Sequence, residues 1–359
     1  MSVRSGSGAS GGAGATVPRL QNDQIESTEP WSFNGKPGEI LRTPHYRVYI
    51  TDTRATTLER LPLFMETALA HYRVLLTGSE TPLPYPDMRM DTFILDTRPD
   101  WELLTKQLLG EQAAPFLKIR RGGFAYAGRA LLFDIGTRDT LSVAAHEGWH
   151  QYTQRTFHQP LPIWLEEGIA TLMEGHRWAG AKGGEPVFLP WVNVERFDQL
   201  RRAEAQHRLM PLFDLLKSSP QTLMNSSDAE PALVYYAQVW ALSHFLNEGC
   251  GGKYRAGLQS LLHDAAAGRV AQTVVNVLGP QAAKASGSAV RGLMTINVGP
   301  GVFLTYFNLN LAEADREYQA FIKQLVQPGS RGAIVEGLSP FASVPAASGR
   351  SGAGSDGSP

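Results

Sequence analysis

The chain has 359 residues, 43% of them hydrophobic, and its 33 basic and 34 acidic side chains leave a net charge of −1. That balance gives no electrostatic reason to expect nucleic acid or an anionic membrane as a partner, and no stretch reaches the roughly 18 uninterrupted apolar residues of a membrane span. Cys250 is the only cysteine, so an internal disulfide and a cysteine-based metal site are both excluded.

Residues 1–30 and 328–359 are rich in Gly, Ser and Ala and read as flexible tails. The start, MSVRSGSGASGGAGATVP, lacks the apolar run of a signal peptide, so the expected location is cytoplasmic, or outside the cytoplasm if a leader has been removed. Between the tails, the pattern predicts an α+β lobe over 31–178 and a mainly helical lobe over 179–327, with a cleft between them. The first lobe reads strand, helix, strand, helix in HYRVYITD, TTLERLPLFMETALAHYRVLL, MDTFILD and RPDWELLTKQLL. Lys118, Arg120 and Arg121 read as a solvated strand end. FAYA and RALLFDI then form a hairpin joined at Gly128, and the Gly122-Gly123 pair lets another backbone come close.

HEGWH follows at 146–150. With Asp139 as the helix cap, the four-residue spacing puts His146 and His150 on one face, one turn apart, where both can grip one metal ion. Glu147 is placed to take a proton from water at that metal rather than to bind it. The pattern reads as a zinc hydrolase site, one Zn2+ per chain, which needs a third protein donor and keeps a fourth position for water. A histidine donor in the HExxHxxGxxH arrangement is excluded, because Thr153 and Thr156 occupy the Gly and His positions, and His158 lies two residues too far along in a polar turn. The donor then comes from a following helix that Pro162 opens and Gly175 stops. Glu166 and Glu167 share its second turn, and adjacent helical side chains point about 100° apart, so one of them faces the metal. Gly148, inside the metal helix, costs about 1 kcal/mol against Ala and implies that another backbone packs against that turn.

Downstream, VNVERFDQLRRAEAQ, PLFDLLK, PALVYYAQVWALSHFLNEGCGG, KYRAGLQSLLHDAA and EADREYQAFIKQLV read as helices, whereas 280–311 has no clear period. In the third helix Tyr235, Val239, Leu242 and Leu246 recur at helical steps and form the core face, and Gly249 ends it. Tyr236 points about 100° away from that face. His244 reads as a packed or surface residue.

These segments resemble the gluzincin zinc metallopeptidases of the peptidase MA-like clan, in an uncharacterised bacterial branch. In that group HExxH is followed by a helix of the form W-L-x-E-G-x-A, matched here by Trp164, Leu165, Glu167, Gly168 and Ala170. The resemblance implies Glu167 as the third ligand beside His146 and His150, with Glu147 as the catalytic base. It also implies a thermolysin-like fold, in which a small mixed sheet with an edge hairpin packs on the HExxH helix. Thr171 matches a position that often orients the first histidine. Tyr236 aligns with the tyrosine of a Y-x9-L helix, which implies a role in stabilising the oxyanion. Zinc peptidases commonly hold substrate as an added strand, so Gly123, Phe124 and Ala125 are expected to pair with it.

The expected function is therefore zinc-dependent hydrolysis of peptide bonds in a peptide or protein substrate. Glu147 would activate the water and later protonate the leaving amine. Two alternatives stand beside it: a catalytically silent binding or scaffold protein that keeps the peptidase fold, and a zinc amidase acting on a non-peptide cell-wall component. Cleavage specificity and oligomeric state leave no mark that can be read from the residues.

Overall fold

A computed structural model of the chain describes residues 24–51, 54–119, 122–179, 184–223, 230–279 and 299–342. Six strands form one mixed sheet: β1 (Ser27–Phe33), β2 (Lys36–Arg42), β3 (Tyr46–Ile50), β4 (Met90–Leu95), β5 (Gly123–Tyr126) and β6 (Arg129–Phe133), in the spatial order β1-β2-β3-β4-β6-β5. β1, β2 and β3 are antiparallel neighbours, β3, β4 and β6 run parallel, and β5 folds back antiparallel on β6. Parallel neighbours need long crossovers, which helices α1 (Ala55–Val74) and α2 (Arg98–Leu109) supply. Among the described residues β5 is left as an edge. Its turn to β6, Ala127-Gly128, has φ of 51° and 73°, the primed geometry that suits the twist of a tight hairpin.

Successive residues of β6 serve opposite layers, as the period of two requires. Ala130 and Leu132 join the large apolar cluster that includes α1 and α3 (Thr137–Thr156), whereas Leu131 and Phe133 pack with Leu95, Trp101, Leu104 and Phe124 under α2. The chain continues through α4 (Ile163–Met173), the hairpin β7 (His176–Trp178) and β8 (Pro186–Phe188), α5 (Val194–Ala205), α6 (Leu212–Lys217) and α7 (Pro220–Leu223). It ends with α8 (Glu230–Gly252), α9 (Arg255–Ala267), α10 (Val270–Leu278), α11 (Gly299–Tyr306), α12 (Leu311–Leu325) and α13 (Ser330–Glu336). α8 leaves helical backbone at Gly249, as expected.

The α+β class and the strand–helix order hold, and the expected boundaries shift. β1 begins inside the stretch read as a tail, α13 lies inside the other, and the division at 178 would cut the β7–β8 pair. The two lobes also share a single core, since one apolar cluster runs from Leu41 in β2 to Ile334 in α13. The HEGWH helix, α3, starts at Thr137 after Gly136, so Asp139 sits in its first turn rather than at its cap, where its charge still favours the helix dipole. Residues 1–23 and 343–359 of the expected tails, Arg120, Arg121 and residues 280–298 lie outside the described residues.

Two glycines set how closely the helices approach. A Cβ on Gly148 would lie 2.6 Å from the Tyr72 hydroxyl, which donates to Ala145 O at 2.7 Å, so a side chain from α1, rather than another backbone, claims that space. A Cβ on Gly168 would overlap Ser243 Oγ and sit 2.7 Å from Val239 O. Gly168 thus lets α8 cross α4 nearly backbone to backbone, one residue from Glu167. Gly168→Ala should gain about 1 kcal/mol of helix propensity and lose more to the forced separation of the helices, for a net destabilisation of about 1–2 kcal/mol. Urea unfolding measures it, and an unchanged midpoint would show that the crossing has slack.

Candidate metal centre

Residues one turn apart on α3 and one residue at the crossing of α4 build the centre. Glu167 Oε2 lies 3.5 Å from His146 Nε2 and 3.6 Å from His150 Nε2, and the three donor atoms fall within 4.8 Å of one another. Donors held tetrahedrally at zinc-like bond lengths stand about 3.3 Å apart, so small adjustments would let the three share one metal ion. Glu167 Oε2 is buried and has no hydrogen-bond partner, a position that a carboxylate oxygen tolerates poorly unless a cation faces it. The residues fit a metal.

Each imidazole is fixed from behind. His146 Nδ1 is 2.9 Å from Glu174 Oε1, and His150 Nδ1 is 3.0 Å from Glu166 Oε1, which also accepts from Thr153 Oγ1 at 2.6 Å. A carboxylate on Nδ1 keeps the proton there and turns the Nε2 lone pair toward the metal. Glu166 and Glu167 therefore both serve the histidines, one on each nitrogen of His150. The expectation for Thr171 is corrected: its hydroxyl is buried and donates to Gly168 O of its own helix at 2.6 Å, and Glu174 takes the place beside His146. Seven residues after Glu167, Glu174 lies two turns on along the same face, a spacing that is visible in the sequence.

Two further residues were not foreseen. Asn193 caps α5 by accepting from Arg196 N and also donates to Glu174 Oε2 at 2.7 Å; Arg196 Nη2 donates to Glu174 Oε1 at 3.0 Å. An N-cap asparagine is legible in a sequence, but nothing in its spacing ties it to a carboxylate 19 residues earlier.

Glu147 leans toward the sheet edge. The hydrogen bonds of β5 and β6 alternate outward from the Tyr126–Arg129 pair, through Phe124–Leu131 to the bond from Phe133 N to Gly122 O. The amides of Gly123 and Ala125 therefore face the free side. The backbone of Ala125 faces the Glu147 carboxylate and favours its charged form. Phe124 turns its ring into the smaller apolar cluster. Tyr236 stands over His146, with ring centroids 6.3 Å apart, while Tyr235 is fully buried on the core face. His244 is buried against Trp191, with ring centroids 3.5 Å apart, and His158 is exposed; neither joins the centre.

Electrostatics follow from this packing. Burial disfavours the charge on His146, but the facing carboxylates of Glu167 and Glu174 outweigh it and push its pKa up to about 9. His150 is likewise raised by Glu167 and Glu166 against burial. Burial alone would raise Glu167, yet the two histidines hold it well below the usual carboxylate range. Glu147 is raised, chiefly by burial. Burial and then the Glu167 charge lift Tyr236 well above an ordinary phenol, so its hydroxyl stays protonated.

Residues 140–262 match a family described as "Protein of unknown function (DUF1570)", a span that takes in α4, α5 and α8 and most of α3. No curated protein matches the chain. Among the described residues, no helix is long and apolar enough to cross a membrane.

Because the facing carboxylates push the pKa of His146 up to about 9 and raise that of His150 as well, a divalent ion must displace protons from both. Affinity should therefore rise with pH across the neutral range, by about tenfold per pH unit for each proton displaced. Calorimetric titration with Zn2+ in buffers of different ionisation heat counts the protons, and uptake at pH 7 without proton release would contradict the assignment.

Proposed function

We propose that this protein is a zinc-dependent metallopeptidase with a gluzincin-type catalytic lobe, in which His146, His150 and Glu167 hold the metal. The observation that carries the reading is the convergence of two imidazole Nε2 atoms and the Glu167 carboxylate, with Glu147 beside them and Tyr236 across from them. Bound there, zinc would polarise a scissile carbonyl and bring the pKa of water down to about 7.

This chain's own residues supply the rest. Glu147 accepts a proton from the attacking water and delivers it to the leaving amine, and its raised pKa brings it nearer the working pH, where a general base is most effective. The free edge of β5 offers the amides of Gly123 and Ala125 to an extended peptide, which would add as one more strand. The backbone of Ala125 also faces Glu147, so substrate and base would lie beside the same strand. Tyr236, neutral at working pH, donates its hydroxyl to the developing oxyanion.

Glu147→Gln should retain stoichiometric zinc and lose about 10²–10⁴ in kcat, read with an internally quenched peptide library and elemental analysis. His150→Ala should lose the zinc itself. A wild-type protein that holds zinc yet cleaves nothing that Glu147→Gln leaves intact ends the peptidase reading, and unchanged zinc in His150→Ala ends the site assignment.

A further inference from the structure

Arg196, in the first turn of α5, belongs to neither motif helix, yet its guanidinium touches both halves of the centre. Nη2 donates to Glu174 Oε1, the same oxygen that faces His146 Nδ1. Cζ lies 5.0 Å from the centroid of the Tyr236 ring, over its face. The side chain is 14% exposed, Nη1 reaches Gln199 Oε1 at 3.3 Å, and Nε is buried with no partner.

That geometry is not the one an arginine adopts merely to neutralise a carboxylate. Elsewhere in this chain Arg42 meets Glu29 and Arg47 meets Asp91 in the forked manner, with Nε and Nη2 each on a separate oxygen. Arg196 forgoes the fork. It gives Glu174 a single N–H, leaves Oε2 to Asn193, and strands its own Nε, while its guanidinium lies over the tyrosine. The position is a compromise between two partners.

We propose that Arg196 is a positioning residue that couples the first metal ligand to the oxyanion donor, holding His146 through Glu174 and Tyr236 through its ring. The Tyr236 half rests on the peptidase reading above; the His146 half does not. A lysine could keep the ion pair with Glu174, but a compact ammonium cannot lie on the ring and reach the carboxylate as a planar guanidinium does. The two halves are thus separable by substitution.

Three variants, Arg196→Met, Arg196→Lys and Tyr236→Phe, with the double variant Arg196→Lys/Tyr236→Phe, test the coupling. Zinc affinity is measured by competition with a chromophoric chelator, and metal geometry by the visible spectrum of the Co2+-substituted protein. Arg196→Met should weaken zinc binding by about 10–100-fold and change the Co2+ spectrum, whereas Arg196→Lys should keep both close to wild type. On a cleaved peptide, Arg196→Lys should lower kcat by about tenfold with KM unchanged, and that loss should vanish in the Tyr236→Phe background, as coupled residues require. Wild-type zinc affinity and Co2+ spectrum in Arg196→Met overturn the His146 half; fully multiplicative losses in the double variant overturn the Tyr236 half. Should Arg196→Met not fold, Arg196→Gln, which keeps a donor without the charge, carries the same zinc comparison.

If the wild type cleaves no peptide, the peptidase reading fails on its own. The zinc and Co2+ measurements still decide the first half. The second is then read from the ring resonances of Tyr236, assigned by their loss in Tyr236→Phe, which must shift in Arg196→Lys and would overturn the coupling by staying in place.

Discussion

Charge compensation with little water is the constraint on which the centre depends. The side chains of His146, His150, Glu166, Glu167, Glu174 and Arg196 are between 12% and 19% exposed, and Glu147 sits among them. Partly buried carboxylates packed this densely repel one another, and each is tolerable only where a cation or donor answers it. With both histidines protonated, the four glutamates exceed the three cations by one charge. With both neutral and a divalent ion in their midst, the excess is the same. Two protons and one metal ion are electrostatically equivalent here, so the surrounding scaffold need not rearrange when one replaces the other.

The scaffold around those charges is stiff for reasons that lie outside the motif. Tyr72 reaches from α1 to the Ala145 carbonyl of α3. Gly168 brings α8 against α4, and the first turn of α5 closes over Glu174. Each contact comes from a different element, so the position of His146 is set by α1, α4 and α5 together.

Residues alone reveal what local periodicity encodes. The HEGWH helix is placed from the sequence by the spacing of its histidines, the glutamate helix by Pro162 and Gly175, and the core face of α8 by its helical steps, while the β5–β6 hairpin announces itself through Gly128. The β1–β2 hairpin has its own signal, since Asn34-Gly35 with φ of 50° and 76° is a favoured two-residue turn, but the Gly- and Ser-rich composition upstream masks it. Glu166 and Glu167 read as alternatives because helical geometry sends them apart. The fold uses that divergence, sending one carboxylate to each nitrogen of His150. Arg196 and Asn193 leave no such trace, because their partner is brought to them by the β7–β8 hairpin, and long-range meetings leave no period in a sequence.

The unpaired side of β5 carries a cost that the fold has to manage. An unpaired strand edge invites any other strand, including the same edge on a second molecule, and such pairing is a route to aggregation. Here the edge is four residues long, and the backbone of Ala125 within it faces the Glu147 carboxylate. A visiting strand has to fit beside that carboxylate. A short edge with a carboxylate beside it holds another strand weakly.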